Sequence, residues 1–243
     1  MSQSRAIETT EGVLARTSVI YQRILGFLSG RRSIVCLYTL SMASVRQHFV
    51  RQRAMGKARS LLGRLSSQNR PVQLELGSST PRKGWITIDL ARGADLTLDL
   101  SKQLPFSDGS VDRLYSSHAL DHLCYEDAAA LLRESHRILR NGGTLDLCVP
   151  DASFYLKAYC SSEPFDVRRF CIYDFALHYH SRIDLVNYIA YMEGMHKYMY
   201  DTENLAALLR SIGFQKVTLR SFDSGLDLQQ PDDHECIYAL AVK

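Results

Sequence analysis

Glu75, Asp89 and Asp99 each fall where a short apolar, alternating stretch gives way to turn residues: Val72-Gln-Leu-Glu-Leu-Gly77-Ser78-Ser79, Trp85-Ile-Thr-Ile-Asp89 and Ala94-Asp-Leu-Thr-Leu-Asp99. An acid two residues before a strand-terminal glycine, followed by a run of amide donors, makes a loop whose backbone can approach a ligand and hold a carboxylate or phosphate. A carboxylate ending the next strand is suited to take both hydroxyls of a ribose, a hydrogen bond to a charged group being worth about 1.5–3 kcal/mol. One ending the strand after that can accept from an adenine amino group. Either aspartate alone reads as a turn or cap residue. Three acids in succession at strand ends point instead to a nucleoside-bearing ligand.

Such positions need a sheet behind them, and the chain has the elements for one. A fourth strand is expected at Val111-Asp-Arg-Leu-Tyr-Ser116, then a helix from Tyr125 to Arg140 with Ala128, Leu131, Leu132, Ile138 and Leu139 on one side. Asn141-Gly142-Gly143 stops that helix, and Thr144 to Val149 is a fifth strand ended by Pro150. Asp201 is placed to N-cap a helix from Glu203 to Ile212, which Gly213 ends. Strands at Lys216 to Phe222 and Cys236 to Val242 have no long helix between them and are expected to pair antiparallel at one edge. Strands alternating with helices predict an α/β fold, a mostly parallel sheet with helices on both faces. Open sheets of that kind bind ligands beyond the carboxyl ends of their strands. That directs attention to Gly77 to Thr80, Asp89, Asp99, Ser116 to His118 and Pro150 to Ser153.

The 243 residues are 46% hydrophobic and 23% charged, which excludes a disordered chain, and no apolar run reaches the roughly 18 residues of a membrane span. The net charge of +3 is unevenly spread: twelve basic against two acidic residues before Val72, a balance of +10, leave −7 for the rest. Val13, Ile20, Ile24 and Leu28, then Met42, Val45, Phe49, Leu61, Leu62 and Leu65, recur at helical spacing with basic residues between them. Residues 1–70 therefore read as a basic helical extension and 71–243 as the main domain. Cys36, Cys124, Cys148, Cys160, Cys171 and Cys236 form no regular framework and suit a reducing compartment. The first residues lack the pattern of a secretory signal, although their Arg-rich, Ser-rich character overlaps with organellar transit peptides; a cytoplasmic protein, membrane-peripheral through its arm, is the expectation.

Taken in order, Val72 to Ser79, Gly84 to Asp89, Asp99-Leu100, Leu104-Pro-Phe-Ser-Asp-Gly-Ser-Val-Asp112, Ser116-Ser-His-Ala-Leu-Asp-His122, Leu131 to Gly143 and Val149-Pro-Asp151 resemble the class I S-adenosylmethionine-dependent methyltransferases of the methyltransferase type 11 group. The resemblance runs from Val72 to the C-terminus. It implies a Rossmann-like seven-stranded sheet whose last strand is antiparallel. It also implies S-adenosyl-L-methionine as cofactor, with Glu75, Gly77 and Ser78 at its methionine part, Asp89 and Leu90 at the ribose, Asp99 and Leu100 at the adenine, and Ser116 and Ser117 near the transferable methyl. Two departures stand out. The second glycine of the usual Gly-x-Gly is Ser79, and only eight residues separate Gly77 from Ile86, too few for a crossover helix. The same shortening occurs in a similar subgroup described beside surface-polysaccharide enzymes.

The reaction so implied is an in-line displacement at a sulfonium methyl, in which alignment does most of the work. A sugar hydroxyl must also lose a proton during attack, and His118 and His196 are the candidate bases, with His122 a third. Residues 152–200 hold twelve of the 23 aromatics and are expected to form the acceptor insert, although most of those rings suit plain packing. His178, His180 and Asp174 make too weak a set for a metal, and none is assigned. The function expected is methylation, chiefly O-methylation, of a small molecule or glycan. Alternatives are a non-catalytic scaffold docking an anionic membrane or protein partner through residues 1–70, and a nucleic-acid methyltransferase. Against the latter, Ser116-Ser-His-Ala119 stands where base-amino enzymes carry a D/N-P-P-Y-type motif.

Overall fold

The computed structural model describes residues 52–65, 67–68, 70–227 and 235–243. The helices expected between Val13 and Phe49 lie outside the described residues. Residues 52–65 are helical (α1), and from Arg53 onward they belong to the same compact unit as the sheet. Ala54 and Ala58 of α1 are buried in the main core, with Leu61, Leu62 and Leu65 packed against it.

Among the described residues seven strands form one sheet in the order β3-β2-β1-β4-β5-β7-β6: β1 (Gln73–Leu76), β2 (Ile86–Asp89), β3 (Leu96–Thr97), β4 (Val111–Ser117), β5 (Leu139–Pro150), β6 (Lys216–Arg220) and β7 (Cys236–Val242). The first five are parallel, and β7 runs antiparallel to both β5 and β6. The last two strands pair antiparallel at one edge of the sheet, as expected, with β7 beside β5 and β6 outermost. The order reverses between β1 and β4, which makes their carboxyl ends the switch point.

Alternate strand residues, Leu74, Leu76, Ile86, Ile88, Leu114, Leu145, Leu147, Val149, Ile237 and Ala239, form one apolar core with α1, with α2 (Tyr125–Ile138) through Leu131 and Leu132, and with α6 (Thr202–Ile212) through Leu205 and Leu209. Burying each large side chain stabilises the fold by about 1.5–3 kcal/mol. Helix α2 ends at Ile138 rather than Arg140: Leu139 is already extended and starts β5. The Asn141-Gly142-Gly143 turn lies within that strand, with Gly142 at φ +74°. Helix α6 starts and stops as its sequence demands, Asp201 accepting from the Asn204 N–H at 2.7 Å and Gly213 adopting φ +114°.

The positions that alternate with the core residues carry a polar network. Asp146 on β5 receives Arg113 at 3.0 Å and Arg220 at 3.2 Å, and Arg220 is also paired with Asp227 at 2.6 Å. The β1–β2 connection has no helix, as its length required. Arg82 anchors it instead, donating to the Leu226 carbonyl at 2.6 Å and stacking over Trp85 and Tyr115 at 5.2 and 5.3 Å.

Beyond β5, α3 (Ala152–Cys160), α4 (Val167–Phe170), a 3-10 turn at Asp174–Ala176 and α5 (Ile183–Tyr191) build a second apolar cluster around Tyr155, Cys171, Leu185, Tyr188, Ile189 and Met192. Phe154 packs edge-on or tilted against Tyr155, Phe165 and Phe170, so many of the insert's rings are structural. Among the described residues no helix is long and apolar enough to cross a membrane.

Candidate functional site

Gly77 leaves β1 at φ +81° with its N–H bonded to the Ile88 carbonyl at 2.8 Å, and a Cβ there would lie 2.3 Å from the Cβ of Ala119. The glycine is thus needed for the turn and for the close approach of the first loop to the segment after β4. The turn at Gly93, φ +118°, closes on the same loop, where a Cβ would meet the Ser79 carbonyl at 2.6 Å.

Asp89 and Asp99 stand side by side beyond β2 and β3, where Leu98 N–H bonds to the Asp89 carbonyl at 3.0 Å. Each spends one carboxylate oxygen on its own turn: Asp89 Oδ1 accepts from Ala91 N–H at 2.6 Å, and Asp99 Oδ1 from the Ser101 N–H and hydroxyl at 2.9 and 2.8 Å. The other oxygen of each has no hydrogen-bond partner among the described residues, an arrangement suited to accepting from ribose hydroxyls and an adenine amine. Leu90 is exposed beside Asp89, and Leu100 packs on the core.

Two of the expected contact residues also have partners within the protein. Glu75 is 2% exposed with Oε2 3.5 Å from Arg82 Nη1, so its side chain neutralises the arginine of its own loop. Burial pushes its carboxyl above the usual range, against the pull of Arg82. Ser116 is buried and donates to the Leu76 carbonyl at 3.1 Å, tying β1 to β4 at the switch point, whereas Ser117 is half-buried.

His118 follows β4 in the left-handed region, φ +49°, with its N–H on the Cys148 carbonyl at 2.9 Å. Such a backbone costs a non-glycine residue about 1–2 kcal/mol, and it is the kind of strain that collects at functional sites. Its Nε2 lies 3.3 Å from Cys236 Sγ. Cys148, on the same side of the sheet, is pushed down to about 6 by the Cys236 hydrogen bond, which with help from His118 outweighs burial. His118, Cys148 and Cys236 hold their ligand atoms within 4.8 Å of one another.

His196 is buried, and its Nδ1 is 2.7 Å from the Ile189 carbonyl. A carbonyl only accepts, so Nδ1 carries the proton. Nε2 faces Asp121 Oδ2 at 3.2 Å, and His122 Nε2 reaches the same oxygen at 3.4 Å. Nδ1 is thus engaged by the backbone, while Nε2 lies close to Asp121 without a hydrogen bond to it. The three histidines converge on a cavity of about 180 Å³ at the carboxyl ends of β4 and β5 and the start of β7, which Tyr155, Tyr173 and Tyr188 complete from the insert.

Sequence reasoning passed over Asp121, Cys148 and Cys236. The adjacent Asp121-His122 pair was the available sign of the first. The two cysteines are brought together only by the β5–β7 register, in which Cys148 faces Tyr238 and Pro150 faces Cys236.

Residues 86–147 match the family model described as a methyltransferase domain. No curated protein matches the chain. Among solved structures, the chain is similar to a SAM-dependent methyltransferase from Archaeoglobus fulgidus (14% identity, 76% of this chain and 94% of that one, TM-score 0.47). It is also similar to an S-adenosylmethionine-dependent methyltransferase from Mesorhizobium loti (18%, 71% and 90%, TM-score 0.43). A third is the 1,6-didemethyltoxoflavin-N1-methyltransferase of Burkholderia thailandensis (15%, 85% and 85%, TM-score 0.43).

Proposed function

We propose that this chain, a class I S-adenosylmethionine-dependent methyltransferase by its strand order and family match, methylates an oxygen of a small, partly polar acceptor such as a sugar. The observation that carries the reading is the cavity just past the switch point, where ionisable and aromatic side chains meet at the strand ends. The donor, when bound, supplies an electrophilic methyl on a sulfonium. Gly77 and the amides after it would hold its amino-acid part, the outward oxygens of Asp89 and Asp99 its ribose and adenine. Aromatic faces with polar tips, Tyr155, Tyr173 and Tyr188, suit a sugar ring. His118 would take the acceptor proton, its ring steadied by Cys236 and by the backbone that turns it towards the cavity.

Calorimetry with S-adenosylmethionine on the folded full chain tests the donor. Asp89→Ala is expected to weaken binding about 10- to 100-fold, in line with one or two hydrogen bonds to a charged group. A folded chain that releases no heat, or an Asp89→Ala variant indistinguishable from the parent, would sink the reading. Transfer of labelled methyl to glycan and small-molecule fractions then identifies the acceptor. With an acceptor in hand, His118→Ala is expected to lower kcat by about 10²- to 10⁴-fold while the dissociation constant for the donor holds.

A further inference from the structure

We propose that Asp121, His122 and His196 form a binding site for a divalent transition-metal ion, opening onto the cavity. Asp121 Oδ2 lies 3.2 Å from His196 Nε2 and 3.4 Å from His122 Nε2, and all three ligand atoms fall within 4.8 Å of one another. Two ligand atoms each about 2.0–2.1 Å from a tetrahedral ion are about 3.3 Å apart, so the spacing of Asp121 to each histidine already suits a metal.

Three further features separate this trio from a plain carboxylate–imidazole pair. His196 Nδ1 donates to the Ile189 carbonyl, so in the neutral imidazole Nε2 carries the lone pair and faces Asp121. That is the outer-shell arrangement that orients metal-ligating histidines. Asp121 is 2% exposed, yet among the described residues neither carboxylate oxygen has a hydrogen-bond partner, because the histidine approaches are close without being aligned. A buried, unpaired carboxylate between two imidazoles is costly unless a cation completes it. Lastly the site is held together through backbone: Lys197 N–H, next to His196, bonds to the Asp121 carbonyl at 2.8 Å.

The donor set of two imidazoles and one carboxylate, without a thiolate, suits Zn²⁺, Co²⁺, Fe²⁺ or Mn²⁺, with Zn²⁺ bound more tightly than the other three. His122 and His196 both border the cavity, which leaves the remaining coordination positions to water or to an acceptor oxygen. The ion would there lower the pKa of that oxygen. The inference does not depend on methyl transfer, and it is tested without it.

The test is metal uptake by the chelator-stripped full chain, kept reduced, using Zn²⁺ with atomic-emission readout and Co²⁺ with absorption spectroscopy. One tightly held equivalent of Zn²⁺ is expected, and the Co²⁺ form should lack the intense near-ultraviolet thiolate charge-transfer band. Asp121→Asn and His196→Gln should each weaken Zn²⁺ binding by at least about 10-fold, and Cys236→Ser should leave it unchanged. His122→Gln, at a side chain 41% exposed, supplies a variant whose folding is not at risk and should behave like the other two. A folded chain that takes up no Zn²⁺, retention undiminished in Asp121→Asn or His122→Gln, or a thiolate band lost in Cys236→Ser would overturn the assignment. The last result would move the ion to His118, Cys148 and Cys236.

Discussion

Gly77→Ala should lower the thermal midpoint by about 4–20 °C and abolish measurable S-adenosylmethionine binding. Two costs combine. Gly77 sits at φ +81°, where a side chain costs about 1–2 kcal/mol. The new methyl would also stand 2.3 Å from the Ala119 Cβ, against an ordinary carbon contact of about 3.5–4.0 Å. Neither side can yield cheaply, because the Gly77 N–H is fixed to Ile88 and Ala119 directly follows the strained His118. Forcing a methyl into such a space costs about 1–3 kcal/mol, so the sum is about 2–5 kcal/mol. At about 2–4 °C per kcal/mol for a domain of this size, that gives the stated range. Ala119→Gly in the same chain should recover the steric part but not the backbone part. A midpoint within about 2 °C of the parent, together with intact ligand binding, would refute the close approach of the two loops. Differential scanning calorimetry and ligand titration on the single and double variants read both quantities.

The strands at Gln73–Leu76, Ile86–Asp89, Val111–Ser117 and Cys236–Val242 were legible because alternation and turn residues bound them closely. Spatial order was less so. No periodicity marks β7 as an interior strand, since its place between β5 and β6 depends on which way the chain returns after Arg220. Site geometry divided in the same manner. Asp89 and Asp99 lie at the end of β2 and just beyond β3, as their positions in the sequence indicate. The ion pair of Glu75 could not be read there, because its partner Arg82 lies in a loop whose path is set by contacts with Trp85, Tyr115 and Leu226. His118 and His196 drew notice as histidines, but Asp121, the acid that gathers His122 and His196, looks in the sequence like any loop carboxylate. Asp146 reads as the solvent side of an alternating strand and is 2% exposed in the fold, because its partners arrive from Arg113 and Arg220, far away along the chain.

That buried network yields the second large effect: Arg220→Ala should cost about 3–5 kcal/mol, a fall of about 6–20 °C in the midpoint. Arg220 is the shared cation of Asp146 and Asp227, donating from Nε to Asp146 at 3.2 Å and from both terminal nitrogens to Asp227 at 2.6 and 2.8 Å. Without it Asp146 keeps Arg113, but Asp227, whose side chain is fully buried, keeps only the Asp223 N–H at 2.7 Å and the Tyr115 hydroxyl at 3.3 Å. Asp227→Asn in the Arg220→Ala background should therefore restore part of the loss. Arg220→Lys should fall between, since an ammonium cannot bind Asp227 through two donors while reaching Asp146. The pH dependence has a defined sign. Burial pushes the Asp227 carboxyl up, but the Arg220 hydrogen bonds, the Asp223 N–H and the Arg220 charge outweigh it and hold the carboxyl below its usual range. A depressed folded pKa contributes stability that is present above the unfolded value of about 3.9 and is lost as pH falls below it. Removing Arg220 should therefore cost most near neutral pH and progressively less as acid protonates Asp227, and a parent–variant difference in stability that stays constant or widens towards low pH would count against the network. The effect should also reach the ligand. Leu226, the neighbour of Asp227, receives Arg82, and Arg82 holds the loop that starts at Gly77. Arg220→Ala should thus weaken S-adenosylmethionine binding at a temperature where the variant is still folded, and Asp227→Asn, by easing the buried charge, should bring part of that affinity back.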